Sequence, residues 1–306
     1  MKPAWSVVLL TTFLGAAQGL FLALYGVDLY SAVRGSESPA KWFIALSVCI
    51  SIALAGAGLA ASFFHLGRPE RAWRSAAMWR TSWLSREVIA LPLFMALAAA
   101  YGALHWFGLH VVALAAGAAA ALACVALFVC TGMIYASLKF LQEWHSPLTV
   151  LNFVLLGMAS GLTLVTALAA QFDPEAARAH ALAALAVLAL AALSRGATLL
   201  RNARLRPTSN LQTAIGIKHP RIAQKAQGAM GGSFNTREFF HGMPQDRLRM
   251  LRWGAAVAGF AAPALLLALH WPLAAFLLQF AGLLAERWHF FAEARHPQNL
   301  YYQSVS

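Results

Sequence analysis

Long apolar runs separated by short polar joints set the pattern of this chain. Eight runs of roughly 20 residues recur, long enough for a helix to cross a hydrocarbon core of ~30 Å: 5–32, 42–65, 87–107, 110–138, 148–171, 178–200, 251–270 and 272–291. None alternates residue by residue, as a membrane β-strand of ~10 residues would. In lipid, only helices and closed barrels satisfy their own backbone hydrogen bonds. The pattern therefore predicts an all-α polytopic membrane protein with eight transmembrane helices. These form a single integral membrane domain, 1–306, with one long connection at 201–250. The first run is too long for a signal-peptide core and carries Gln18 and Asp28, so it is expected to stay as the first helix.

The joints differ between the two sides. Eight spans place both termini on one side, with the connections 66–86, 139–147 and 201–250. Of the 23 Lys and Arg residues, only Arg34, Lys41 and Arg178 lie on the other side, leaving 23 − 3 = 20 on or near the first. Basic joints mark the cytoplasmic side, so both termini are expected in the cytoplasm of a bacterium with the chain in its inner membrane. The net charge of +12 is then a topology signal, and without a soluble basic domain it excludes nucleic acid as a partner. In the 201–250 loop, basic residues mix with Gly, Pro, Phe234, Phe239 and Phe240. Such a segment suits either anionic membrane lipid or a cytoplasmic partner. On the far side the joints are short. "FDPEA" starts a helix there, with Asp173 as cap and Pro174 in its first turn. Trp106 and Trp271 stand where an aromatic belt belongs. "FFHLGRPER" (63–71) and "FFHGMPQDR" (239–247) precede the third and seventh runs. They hint at two four-helix halves related as parallel repeats.

Candidate chemistry concentrates on the basic side. His65 ends the second run and Glu87 opens the third, so a helical hairpin brings them to one depth. A histidine and a carboxylate at a membrane edge suit a quinone, whose ring oxygens exchange protons as electrons move. The plainer roles are a helix cap for His65 and a salt bridge to Arg86 or Arg68 for Glu87. Glu286, Arg287 and His289 reach the same level, where Trp288, Phe290 and Phe291 could wall an apolar pocket. Arg195, inside its run, either snorkels or pairs with Glu286. Arg68, Arg71 and Arg74 recur every three residues and form one basic face for headgroups or a partner. The three cysteines, Cys49, Cys124 and Cys130, fall inside runs and are too few for a conventional iron–sulfur cluster, so no metal is assigned to this chain. Nucleotide-binding, zinc-hydrolase and nucleophile-elbow motifs are absent. No histidine lies deep in a run, which weakens a haem b anchor; a secondary transporter would have only Gln18, Asn152 and Gln279 at mid-membrane.

At "ASFFHLGRPERAWRSAAMWRTSWLSREVIA" (61–90) the chain resembles the membrane anchor subunits of dimethyl sulfoxide reductase-type complexes, within the polysulfide reductase-like group. The pattern is His65, Leu66 and Gly67 closing one helix and Leu84, Ser85 and Glu87 opening the next. The resemblance implies that His65 and Glu87, with Arg68 and Ser85 beside them, bind a quinone or quinol, menaquinone or ubiquinone. It implies two partners: a four-cluster iron–sulfur subunit and a molybdopterin catalytic subunit. Arg71, Arg74, Phe239, Phe240 and His241 are the expected docking residues. The tail and the long loop look more like the variant that includes cytoplasm-facing sulfite dehydrogenases. Sulfite oxidation and sulfoxide or N-oxide reduction both stay open at this point.

Overall fold

The chain is helical throughout the computed structural model, which describes residues 1–64, 66–172, 174–226 and 238–303 and omits the side chains of 174 and 175. The helices are α1 (Trp5–Arg34), α2 (Lys41–Phe63), α3 (Trp83–Trp106), α4 (His110–Ala136), α5 (Pro147–Ala169), α6 (Pro174–Ala203), α7 (Leu211–Ile215), α8 (Gln245–Ala268) and α9 (Pro272–Glu293). Short 3-10 helices cover Pro69–Ala76 and Pro297–Tyr301. Among the described residues, seven helices, α1 to α6 and α8, are long and apolar enough to cross a membrane. The eighth expected span also forms a helix, α9. Its last turns carry Glu286, Arg287, His289 and Glu293, so its composition is not that of the other seven.

Boundaries move where caps override the apolar pattern. Ser82 accepts a hydrogen bond from the Ser85 backbone N–H and starts α3 at Trp83, four residues before its apolar run. Similarly, α8 begins at Gln245 behind Pro244, with Asp246 in its first turn. The 201–250 connection is accordingly shorter than expected, since α6 extends to Ala203 and α7 sits within it, closed by an Asn210–Thr213 capping box. The Asp173 cap and the 227–237 stretch, including Phe234, lie outside the described residues.

At the centre, α1 packs against α2, α4, α5 and α9. Its crossing with α5 is made by Gly15 and Gly19 against Gly157 and Gly161. A Cβ at Gly19 would lie 2.0 Å from the Gly157 carbonyl oxygen, and one at Gly161 would lie 1.9 Å from the Gly19 carbonyl carbon. The two backbones touch. Lipid provides no hydrophobic force between helices, so close packing and interhelical hydrogen bonds hold them instead. Ser51 donates to the Ala17 carbonyl (2.8 Å), Gln18 to the Cys124 carbonyl (2.9 Å) and Asn152 to the Thr198 hydroxyl (2.8 Å). These bonds tie α1 to α2, α1 to α4 and α5 to α6. Leu122, Leu182, Leu193 and Leu277 are exposed on the outward faces, as lipid-facing side chains are.

A second glycine contact joins α8 to α9. A π-turn, Val257–Ala261, widens α8 where Gly259 meets Gly282, and a Cβ on Gly282 would fall 2.2 Å from the Gly259 nitrogen.

Gly161→Ala should lower the thermal midpoint of the detergent-solubilised chain by the equivalent of about 1–3 kcal/mol, the usual cost of overpacking. Gly26, with nothing within 4 Å of its position, is the control. Gly26→Ala should be neutral or stabilise by about 0.5–1 kcal/mol.

Candidate functional site

Because α3 starts at Trp83, Glu87 falls in its second turn and points into the bundle, 6% exposed. The Thr131 hydroxyl of α4 donates to its Oε1 at 2.5 Å. Ser85 is buried beside it. Arg86, by contrast, turns outward, donating to the Trp79 and Arg80 carbonyls (2.9 and 2.8 Å) and lying 4.2 Å over the Trp83 ring. Arg68 is exposed. Among the described residues, no cation lies within ion-pair distance of Glu87. Its hydrogen-bond partner is neutral. His65 lies outside the described residues.

Thr131 and Tyr135 are four residues apart, on one side of α4. The Tyr135 ring stacks on Phe153 of α5 (5.5 Å between centroids), with Trp144, Phe290 and Phe291 edge-on around it. The Arg287 guanidinium lies 3.8 Å over the same Phe153 ring. From Arg287 the polar contacts continue. Its Nε is 3.7 Å from Glu286 Oε2, and Glu286 Oε1 is 2.7 Å from Arg195 Nε. One Arg195 Nη is 3.6 Å from Glu293 and 3.4 Å from His289 Nδ1. Two arginines and two glutamates cancel, which is how charges survive burial. The residues expected to line a pocket, Glu286, Arg287 and His289, are therefore packed into an ion network, with Trp288 half-buried beside them. Arg195 pairs with Glu286.

The expected docking residues divide into two groups. In the 3-10 helix, whose i and i+3 positions eclipse, Arg71 and Arg74 are exposed. Arg71 reaches Glu70 at 3.9 Å and Arg74 lies over Trp73. Trp73, Met78 and Trp79 are exposed with them, forming a basic aromatic ridge. Phe239, Phe240 and His241 instead fold onto the chain's own tail. Phe239 stacks on His296 (3.9 Å), and its carbonyl accepts from Asn299; Phe240 meets Tyr302 edge-on; His241 lies 6.2 Å from Trp288. Burial first, then the nearby N-terminal amine, hold His241 and His296 below the ordinary imidazole range.

Among the described residues, no group of three or more His, Cys, Asp or Glu side chains is arranged to hold a metal ion. Cys124 and Gln18 bond reciprocally through side chain and backbone, Cys130 is buried, and Cys49 is exposed.

One cluster escaped the sequence reading. Asp28 on α1 meets Tyr101 and His105 on α3 at the opposite end of the bundle. The signal was present in the spacing: His105 follows Glu87 by 18 residues, about five helical turns, and so lies on the same side of α3.

Residues 1–217 match the family model of the DMSO reductase anchor subunit (DmsC). The chain is 53% identical to a sulfite dehydrogenase subunit from Allochromatium vinosum, over 325 aligned positions covering the whole of both chains.

Removing one member of the ion network should be costly. Glu286→Gln leaves Arg195 with Glu293 and takes from Arg287 its ion-pair partner, and the loss expected for breaking a buried pair is about 3–5 kcal/mol. Thermal unfolding in detergent measures it. A midpoint unchanged from wild type would mean that the network adds nothing to stability.

Proposed function

Since the chain belongs to the family of DMSO reductase anchor subunits, we propose that it is the quinone-reactive subunit of a sulfite-oxidising complex in the bacterial cytoplasmic membrane. The observation that carries the substrate class is the full-length identity with a sulfite dehydrogenase subunit. In this reading sulfite and water become sulfate at a molybdopterin subunit, releasing two electrons and two protons. The electrons reach the anchor through a four-cluster iron–sulfur subunit. At the membrane edge, a quinone takes up two electrons and two protons.

Glu87 supports the assignment of the quinone end. It is a buried carboxylate at the basic end of the bundle, with a neutral hydroxyl on one oxygen and no cation paired with it among the described residues. Such a group can pass a proton to a ring oxygen while Thr131 fixes its orientation. His65, two positions after α2 in the sequence, serves the other ring oxygen, and Ser85 and Arg68 flank the entrance. Arg287, Glu286 and Arg195 form a polar network that reaches Glu293, which is partly exposed on the same side. Protons for the quinone therefore come from the basic, cytoplasmic face. The exposed Arg–Trp ridge at 71–80 is the docking surface for the iron–sulfur subunit. Phe239 and Phe240 brace the tail. With α9 crossing as the eighth span, both termini are cytoplasmic.

His65→Ala and Glu87→Gln should each cut quinone-linked sulfite oxidation by roughly 10²–10⁴-fold, the usual contribution of a positioned acid or base. Turnover with artificial dyes, and retention of the partners, should be unchanged. Thr131→Val should cost about tenfold, in line with ~1.5 kcal/mol for a hydrogen bond to a charged group. Quinone-linked turnover that survives both the His65 and Glu87 changes places the site elsewhere. Topology has its own check. Cysteines introduced at Arg71 and Gln303 should react with an impermeant maleimide from the same membrane face; opposite faces would mean an odd number of spans.

A further inference from the structure

The far end of the bundle holds buried ionisable side chains that the quinone site does not use. Asp28 is 0% exposed, and Tyr101 and His105, one turn apart on α3, are 0% and 1% exposed. The Tyr101 hydroxyl donates to Asp28 Oδ2 at 2.9 Å, and His105 Nε2 lies 2.7 Å from the same oxygen. Asp28 Oδ1 and His105 Nδ1 are buried without a hydrogen-bond partner among the described residues. Two more titratable side chains face the cluster. Tyr25 of α1 donates to the Leu114 carbonyl and meets the Tyr101 ring at 5.9 Å. His110 of α4 is exposed and has its ring 5.3 Å from that of His105. On the α2 side, Val48 covers Gly102 with apolar surface. No Lys or Arg lies within ion-pair distance of Asp28 among the described residues.

Charge arithmetic restricts what such a cluster holds. With one proton, Asp28 and His105 are neutral in sum, whether the proton rests on the imidazole or the carboxylate. With none the pair carries −1, and with two it carries +1. A net charge without a partner is expensive inside a membrane protein. One proton is the stable occupancy.

We propose that Asp28 and His105 form a proton-binding site that exchanges with the far aqueous phase through His110 and is separate from the Glu87 end. An imidazole has two ring nitrogens and can receive a proton on one while giving it up at the other. Nε2 faces Asp28, and Nδ1 is the nitrogen left for exchange with His110 or an intervening water. Towards Glu87 the route is closed. His105 and Glu87 are about 27 Å apart along α3, and the buried residues between them on that side include Leu91, Phe94 and Ala98. Phe21 of α1 packs edge-on against both Phe94 (5.4 Å) and Tyr101 (5.6 Å), so hydrocarbon and aromatic carbon fill the gap. The bound proton also fastens α1 to α3, because its loss would leave an unpaired anion between them.

The test uses the full chain in sealed vesicles of single orientation, with pH-jump infrared difference spectra read against Asp28→Asn. An Asp28-dependent carboxyl signal should follow a jump on the far face promptly and ignore a jump on the basic face. His110→Ala should keep its amplitude and slow it at least tenfold. If Asp28→Asn does not accumulate, the sidedness of the wild-type signal and the His110→Ala rate still decide. No signal, a signal driven from the basic face, or an unchanged rate in His110→Ala would each overturn the proposal. Quinone-linked turnover should stay at the wild-type level in Asp28→Asn and His110→Ala, and a large loss in either would overturn the separation of the two ends. None of the spectroscopic arms involves quinone, so they succeed or fail independently of the Glu87 assignment.

Discussion

Everything in the bundle is arranged around the place where α1 and α5 touch backbone to backbone. Four glycines permit that approach, and no side chain fits between them. Helices so close gain dispersion contacts along their length, the main attraction available where lipid is as apolar as leucine. The crossing also fixes depth. Once Gly19 lies on Gly157 and Gly161, the ends of α1 are set relative to α5, and α2, α4 and α9 pack on the sides of α1 that remain. Gln18, next to the crossing, spends its amide on the Cys124 carbonyl and sets α4 against α1. The positions of Glu87 and Thr131 follow from that, since α3 and α4 pack as a pair.

A membrane solvent then decides where polar groups can stand. On α3 the inward stripe runs Glu87, Leu91, Phe94, Ala98, Tyr101, His105, with ionisable groups at both ends and carbon between. On α9 the inward charges, Glu286, Arg287 and Glu293, gather in its last turns, where α6 supplies Arg195 as counter-ion. Gln279 shows the cost of departing from this rule. It is fully buried on α9, and both its amide atoms lack a hydrogen-bond partner among the described residues.

Much of this was legible in the pattern of apolar runs because lipid imposes a length and a composition on each span. The helix class follows from that constraint alone, and seven of the eight expected runs are helices long and apolar enough to cross a membrane among the described residues. Hydropathy says less where something else acts. The Ser82 cap begins α3 in polar sequence, and ion pairing lets α9 carry charges that a lipid-facing helix could not. Phe239, Phe240 and His241 lie against other parts of this chain, a contact that composition does not reveal because aromatic and basic residues serve equally against another protein or the chain's own tail. Asp28 and His105 were each visible, but pairing a residue late in α1 with one late in α3 requires knowing which faces the two helices turn towards each other.

The two ends of the bundle differ in how their charges are connected. At the basic end, Glu87 bonds to Thr131, and a separate ion network of Arg287, Glu286 and Arg195 reaches partly exposed Glu293. At the far end, His105 has exposed His110 beside it, and the α3 residues on the side towards Glu87 are apolar. A protein that moved protons across the membrane would need polar groups through the span between these ends. Along α3 that span is Leu91, Phe94 and Ala98. The same aromatic block that locks Phe21 of α1 against α3 therefore keeps this stretch of α3 free of polar side chains between the two ends.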